Sequence, residues 1–280
     1  MTVYGLNLGC GRRFHPDWEN VDFFPIAPNV RAHDLRKGIP YPEGTFDVVY
    51  HSHVLEHFPK HMAPGFLGEC HRVLKPGGVI RVAVPDLEEI ARLYLNALEN
   101  AEKGIPGWRE NYDWMILEMY DQAVREHLGG ACFDYYRQQT IVNWDFVFKR
   151  AGAEAHAAMN AARAESPVPL NRYRRLRTKW GYVVRHFEIV FGNKLAKVVL
   201  SKEDYESLQV GRFRRQGEVH QWMYDAYSLA RLLKECGFSN PLRRPALESR
   251  IPNWAQYCLD NEPDGSIYKP DSLYMEAVKP

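Results

Sequence analysis

Between residues 4 and 98, short apolar runs alternate with stretches of helical periodicity, and this alternation constrains the chain more than any other feature. The runs at Tyr4–Leu8, Asn20–Phe23, around Val30, Phe46–Tyr50 and Val79–Val84 read as strands of a parallel sheet covered by helices on both faces. Leu87, Ile90, Ala91, Tyr94, Leu95 and Leu98 then fall on one helical stripe, and Asp86 and Glu89 have the spacing of a capping box. A helix therefore starts directly at the carboxyl end of the fifth strand.

From about residue 100 to 215 the pattern becomes Trp-, Tyr- and Ala-rich and helical, as in Trp108–Gly129 and Ala151–Glu165, followed by Pro167 and Pro169. The alternating pattern returns after residue 216. Tyr227–Gly237 carries Leu229, Leu232, Leu233 and Cys236 at helical spacing and ends on Gly237, a natural C′ residue. Ser272–Val278 reads as a closing strand. The expected architecture is one α/β, doubly wound sheet of about seven strands, built from residues 1–100 and 216–280. A helical insertion, 101–215, falls between strand five and the final helix and strands.

Composition excludes little. The net charge is +1, so any electrostatic signal is local; Arg172–Arg215, with RYRRLR (172–177) and RFRR (212–215), is the one basic zone, and a solvated helical face explains it as well as a binding surface does. Five scattered cysteines without a C-x-x-C pair argue against a disulfide framework or zinc knuckle. No long apolar run and no leader pattern are present, so a cytoplasmic protein without a transmembrane segment is expected.

Several motifs carry chemistry. LNLGCG (6–11) is a strand followed by a Gly-x-Gly turn, which lets backbone approach a ligand across the strand tips. Alone it is equally well only a turn. Asp22, in NVDFFP, follows the second strand, where a carboxylate accepts from ribose hydroxyls. Asp34, in HDL, follows the third, and FDVVYHSHVLEH (46–57) and HRVLKPGGVIRVAVPD (71–86) complete the series.

In these ordered motifs the chain resembles class I S-adenosylmethionine-dependent methyltransferases of the type-11 group, over residues 4–86 and again over HQWMYDAYSLARLLKECGF (220–238) and SLYMEAVK (272–279). The resemblance implies a Rossmann-like fold and S-adenosyl-L-methionine as cofactor. It implies that Leu8, Gly9, Cys10 and Gly11 pass the methionine part, Asp22 and Phe23 meet the ribose side, Asp34 and Leu35 flank the adenine, and His51 lies beside the cofactor at the fourth strand tip. The chain departs from the group at Asn7, where an acid is usual, and at Arg12, where a third glycine would fall. It also spaces Gly11 and Asp22 closely enough to imply a truncated first helix with Pro16 and Trp18 in the connection. A nicotinamide dinucleotide is disfavoured, because its fingerprint wants G-x-G-x-x-G and an acid about 20 residues on.

YHSHVLEHFPKH (50–61) leaves three readings open. Ser52 can cap a short helix from His53 to Phe58 that ends before Pro59, leaving His61 beyond the break. On such a helix His53, Glu56 and His57 are similar to the E-x-x-E-H ligands of some metal-dependent O-methyltransferases; no metal is the preferred reading. His53 is the candidate general base, with Asp86 and His220 as further catalytic candidates. Helix capping suffices for Asp86, and core packing for His220, Trp222 and Tyr224. The expected reaction is O-methylation of a sugar hydroxyl on a small-molecule or carrier-linked glycan or natural-product intermediate, with the insertion as lid or acceptor-binding subdomain. Aromatic, amine or RNA acceptors and a non-catalytic binding protein are the alternatives. No stable nucleic-acid partner is expected, and a homodimer is left open.

Overall fold

The computed structural model describes residues 3–163 and 195–280. Its strands are β1 (Gly5–Leu8), β2 (Glu19–Asp22), β3 (Val30–Ala32), β4 (Phe46–Ser52), β5 (Leu74–Pro85), β6 (Ser239–Arg244) and β7 (Ser272–Val278). They form one seven-stranded sheet in the order β3-β2-β1-β4-β5-β7-β6. The first five are parallel, and β7 runs antiparallel to both β5 and β6. The seven-stranded α/β sheet read from the sequence is the fold, although helices do not cover both of its faces. β5 is longer than its apolar run, because Leu74 already pairs with Phe46 and the Lys-Pro-Gly-Gly turn is absorbed at a register shift. β6 escaped the sequence pattern: it is an edge strand with Pro241 inside it, and an edge tolerates a missing donor.

One face of the sheet is covered by helices. Leu6, Leu8, Val49, Ile80 and Val82 share one core with α1 (Ala63–Val73) and with Leu229 and Leu233 of the helix Ala226–Glu235 that precedes β6. That helix is amphipathic and opens with a capping box between Asp225 and Ser228.

The opposite face has a different cover. The chain between β1 and β2 holds no helix, so the truncated helix expected there is reduced to turns. Trp18 takes its place, lying so close over Gly5 that a Cβ there would sit 2.3 Å from the indole. Trp18, Val48, Tyr50, Ile251, Trp254 and Leu259 form the apolar layer, contributed largely by the connection between β6 and β7.

That connection is held by one buried cation. Arg81, on β5, is 0% exposed. Its Nε donates to Asp260 Oδ2 at 2.8 Å, Nη1 to Glu276 Oε1 at 2.8 Å and Glu248 O at 2.9 Å, and Nη2 to Ala246 O at 2.8 Å and Pro245 O at 3.3 Å. Tyr50 Oη donates to the other Asp260 oxygen at 2.6 Å. Every guanidinium donor direction is used, the condition under which a buried charge is tolerated.

The helical segment follows α2 (Leu87–Glu102) with α3 (Trp108–Val124), α4 (Gly130–Tyr136), α5 (Trp144–Arg163) and α6 (Lys202–Arg214); the helix before β6 is α7. Ile90 and Ala97 of α2 pack with Trp114, Met115, Tyr136, Val147 and Ala155 in a second core, so α2 bridges the sheet and the helical segment. α3 stops at Val124, short of the expected Gly129. Arg214 donates to the carbonyls of Ala123 and Val124, and Asp121 accepts from Ala131 N, so the last turn is capped from outside. Arg214 of the basic zone thus has a packing role. RYRRLR, the prolines at 167 and 169, and the end of the Ala151–Glu165 stretch lie outside the described residues.

Arg81→Met leaves Asp260 and Glu276 buried without their cation, and is expected to lower unfolding stability by about 3–5 kcal/mol, measured by chemical denaturation at pH 7.

Candidate active site

The strand tips converge on the glycine turn. Gly9 N and Cys10 N donate to Val21 O at 2.8 and 3.2 Å, which draws the turn across β2. Gly9 (φ +63°) passes so close to the segment after β4 that a Cβ would meet Val54 Cγ2 at 2.4 Å, whereas at Gly11 (φ +51°) a Cβ would meet nothing within 4 Å. Gly9 therefore serves packing, and Gly11 leaves an open face. Asp22 sits beside it, accepting from Gly11 N at 2.9 Å on Oδ2 and from Phe24 N at 2.7 Å on Oδ1. Each carboxylate oxygen keeps further acceptor capacity, as a vicinal diol requires.

Asn7 explains one departure from the group pattern. Its Nδ2 donates to Arg13 O at 2.9 Å and Asn20 Oδ1 at 3.3 Å, and Asn20 in turn donates to His15 O and Trp18 O. An acid could not donate, and this amide ladder is what closes the helix-free β1–β2 connection.

The third strand tip is less open than the sequence suggests. Asp34 caps the 3₁₀ turn Leu35–Lys37 and binds the Arg36 guanidinium at 2.8 and 2.9 Å, and that pairing holds its carboxyl below the usual range. An adenine amino group meeting Asp34 would share it with Arg36. Phe23 and Phe24 are exposed and stacked edge to face at 4.6 Å.

The histidines part company. His51 is fully buried on β4 against Phe66, with no hydrogen-bond partner on either ring nitrogen, so its ring faces the core beneath the strand tips. Burial lowers its pKa to about 4. Ser52 does not cap a helix: it ends β4, and His53 takes φ +54°, a left-handed conformation that a non-glycine residue adopts at a cost of about 1–3 kcal/mol. The only helical turn is Leu55–His57, which has no side-chain cap. His53 Nε2 lies 2.8 Å from Ser272 Oγ, and its Nδ1 3.2 Å from Glu56 Oε1. His61 is exposed beyond Pro59.

Glu56 is the centre of this cluster. It is 0% exposed, and neither carboxylate oxygen has a well-formed hydrogen bond, the His53 contact being close but misaligned. Burial opposes its ionisation, but His53, His220 and His57 outweigh burial and hold its pKa low. His220 Nε2 stands 3.9 Å from Glu56 Oε1, and its ring meets that of His57 edge to face at 4.7 Å. Burial also pushes the His220 pKa down, to about 3. Glu56, His57 and His220, rather than His53, Glu56 and His57, are the residues brought within mutual reach.

A small enclosed cavity beside His220 is lined by Pro85, Glu118, Gln122, Met223 and Asp271 among others. Asp271 Oδ1 is buried without a partner, and burial raises the carboxyl to about 6. Glu118, Asp271 and Ser272 were not singled out from sequence. Glu118 sits on α3, and the other two border a strand whose apolar run draws attention elsewhere. Asp86, in contrast, caps α2 through Glu88 N and Glu89 N and binds Arg243 at 2.7 Å, so its oxygens are committed.

The sequence of the "Methyltransferase domain" of the type-11 family matches residues 6–82, the segment that carries the glycine turn, Asp22 and His53. Residues 6–82 are a type-11 methyltransferase domain. S-adenosylmethionine is the cofactor of such a domain, and the open face at Gly11 beside the Asp22 carboxylate fits it. A curated protein of Mycolicibacterium smegmatis (strain ATCC 700084 / mc(2)155), described as a "Probable S-adenosylmethionine-dependent methyltransferase", is 33% identical over 99 residues, 29% of this chain. The match spans 37% of that relative's length. Among solved structures, a possible histamine N-methyltransferase from Thermotoga maritima is 10% identical over 100% of this chain and 84% of its own, with a TM-score of 0.38. The Burkholderia thailandensis 1,6-didemethyltoxoflavin-N1-methyltransferase is 20% identical over 30% of this chain and 45% of its own, at 0.26. At these scores the fold rests on the sheet order itself. No helix among the described residues is long and apolar enough to cross a membrane.

The buried neutral imidazole in this methyltransferase domain has a pH consequence. Unfolded His51 titrates near 6.5 and folded His51 near 4, so as pH falls below 6.5 the unfolded state takes up a proton that the native state refuses. Stability is expected to drop by up to about 3 kcal/mol between pH 6.5 and 4, and His51→Leu should flatten that part of the profile, measured by denaturant midpoints across the range.

Proposed function

We propose that this chain transfers a methyl group from S-adenosylmethionine to a hydroxyl oxygen, with a sugar on a glycan or natural-product intermediate as acceptor. The observation that carries the reading is His53. It follows β4 directly, in a strained left-handed conformation, with one ring nitrogen facing a buried carboxylate and the other 2.8 Å from a hydroxyl. A strained residue joined to two polar partners at a strand tip fits a catalytic task better than a packing one.

When bound, the cofactor supplies an electrophilic sulfonium methyl. The residues around it have separable tasks. Leu8, Gly9, Cys10 and Gly11 form the turn along which the methionine part lies, and Asp22 accepts from the ribose hydroxyls. Phe23 and Leu35 offer apolar surface to the adenine, with Asp34 shared between it and Arg36. His51 supports the floor from below. His53 accepts the acceptor hydroxyl proton at Nε2, the atom that Ser272 Oγ meets, while the Glu56 carboxylate at Nδ1 orients the ring. His220 and Asp271 border the cavity next to this centre and suit orientation of a polar acceptor.

Glu118, Gln122, Asp271 and Met223 border a cavity of about 10 Å³, room for one water at most, so it can orient a single polar group and a sugar ring has to sit outside it. The helix α3 supplies Glu118 and Gln122, as part of an acceptor-binding subdomain would.

Calorimetry with S-adenosylhomocysteine is the first test, and Asp22→Ala should weaken binding by about 10- to 100-fold, the loss of hydrogen bonds to a charged acceptor. Methyl transfer should then appear with hydroxylated sugar acceptors, and His53→Gln should lower kcat by about 10²- to 10⁴-fold while leaving cofactor affinity near wild type. Absence of binding at millimolar cofactor would end the enzyme reading. Transfer to aromatic, amine or RNA acceptors in place of sugars would end the acceptor assignment.

A further inference from the structure

The roles proposed for Glu56 and His220 in methyl transfer do not explain why both converge with His57. Each residue presents one ligand atom, and these atoms all lie within 4.8 Å of one another. We infer that Glu56, His57 and His220 bind a divalent transition-metal ion, zinc being the best match, which ties the turn after β4 to the chain returning from the helical segment.

The strongest support is Glu56 itself. A carboxylate that is fully buried and without a well-formed hydrogen bond on either oxygen is costly unless a cation meets it. The imidazoles around it are arranged as ligands more than as hydrogen-bond donors. His220 Nε2 at 3.9 Å is too far from Glu56 Oε1 for a hydrogen bond, so direct bonding within the trio does not explain its assembly. His57 Nδ1 faces Val219 O at 3.4 Å, a contact that favours the proton on Nδ1 and leaves the Nε2 lone pair for a metal. His53 Nδ1, 3.2 Å from Glu56 Oε1, stands where an outer residue orients a ligating carboxylate.

The backbone brings these residues together independently of any metal. Gln221 N and Trp222 N donate to Glu56 O at 2.7 and 3.2 Å, and His220 N donates to Gln122 O at 2.9 Å. Ligand atoms on a tetrahedral ion at 2.0–2.1 Å stand about 3.3 Å apart, so closure needs movements of at most about 1.5 Å, within reach of the His57 and His220 side-chain torsions. Two imidazoles and one carboxylate form a set that suits zinc and leaves one position open, whereas magnesium and calcium prefer oxygen donors.

Metal binding can be read without any methyl-transfer assay, so it fails or stands apart from the proposed activity. Untagged protein, never exposed to nickel resin, is dialysed against buffered zinc and analysed by mass spectrometry. One zinc per chain is expected, with a higher melting temperature than chelator-treated protein. Cobalt(II) substitution should produce a visible d–d absorption band. His57→Ala and His220→Ala should each weaken zinc binding by about 100-fold or more in competition with a chromophoric chelator, while His61→Ala, at an exposed histidine nearby, should match wild type. Glu56→Gln keeps the side-chain volume and tests the carboxylate where truncation would unfold the protein. Failure of the wild-type chain to retain zinc at micromolar free ion overturns the inference, as does wild-type affinity in both folded histidine variants.

Discussion

One buried cation decides the form of the sheet's second face. Parallel strands need cover on both sides, and the β1–β2 connection is too short to provide a helix. Arg81 projects from β5 onto that face and gathers carbonyls from Pro245, Ala246 and Glu248 with the carboxylates of Asp260 and Glu276. The irregular chain between β6 and β7 is thereby fixed against the strands, and Trp254 packs beneath the guanidinium at 4.6 Å. Trp18 then fills the space above Gly5. A hydrogen-bonded network has replaced a helix as the cover, and the geometry of the strand tips rests on it.

On the other face the cost of burial takes a different form. The core beneath α1 and α7 is apolar except where β4 ends, and there His51, Glu56 and His220 are all sequestered from water. These residues perturb one another: the His53 ring beside Glu56 favours the ionised carboxylate, while burial holds His51 and His220 neutral. Such mutual perturbation concentrates at sites with chemical tasks. The left-handed His53 belongs to the same pattern, since strain is kept where the surrounding contacts over-determine it.

Much of this was legible before any coordinates. The strands β1, β2, β4 and β7, the helix after β5 and the glycine turn follow from apolar periodicity and local chain chemistry, which act over a few residues. The reading of YHSHVLEHFPKH fared less well. Periodicity placed His53, Glu56 and His57 on one helix face, but β4 extends through Ser52 and the chain turns at a left-handed His53, so the stripe never forms. Pairing of His53 N with Ala83 O is a long-range bond that no local pattern contains.

The chain's own residues thus determine the α/β alternation, the turn at Gly9 and Gly11 and the acid at Asp22, because backbone propensity and side-chain period are local properties. Only the tertiary structure decides that Asp86, already a helix cap, is also bound by Arg243. It alone brings His220 to Glu56 across 164 residues of sequence. Those outcomes depend on which distant groups compete for the same oxygen, and that competition is settled by packing.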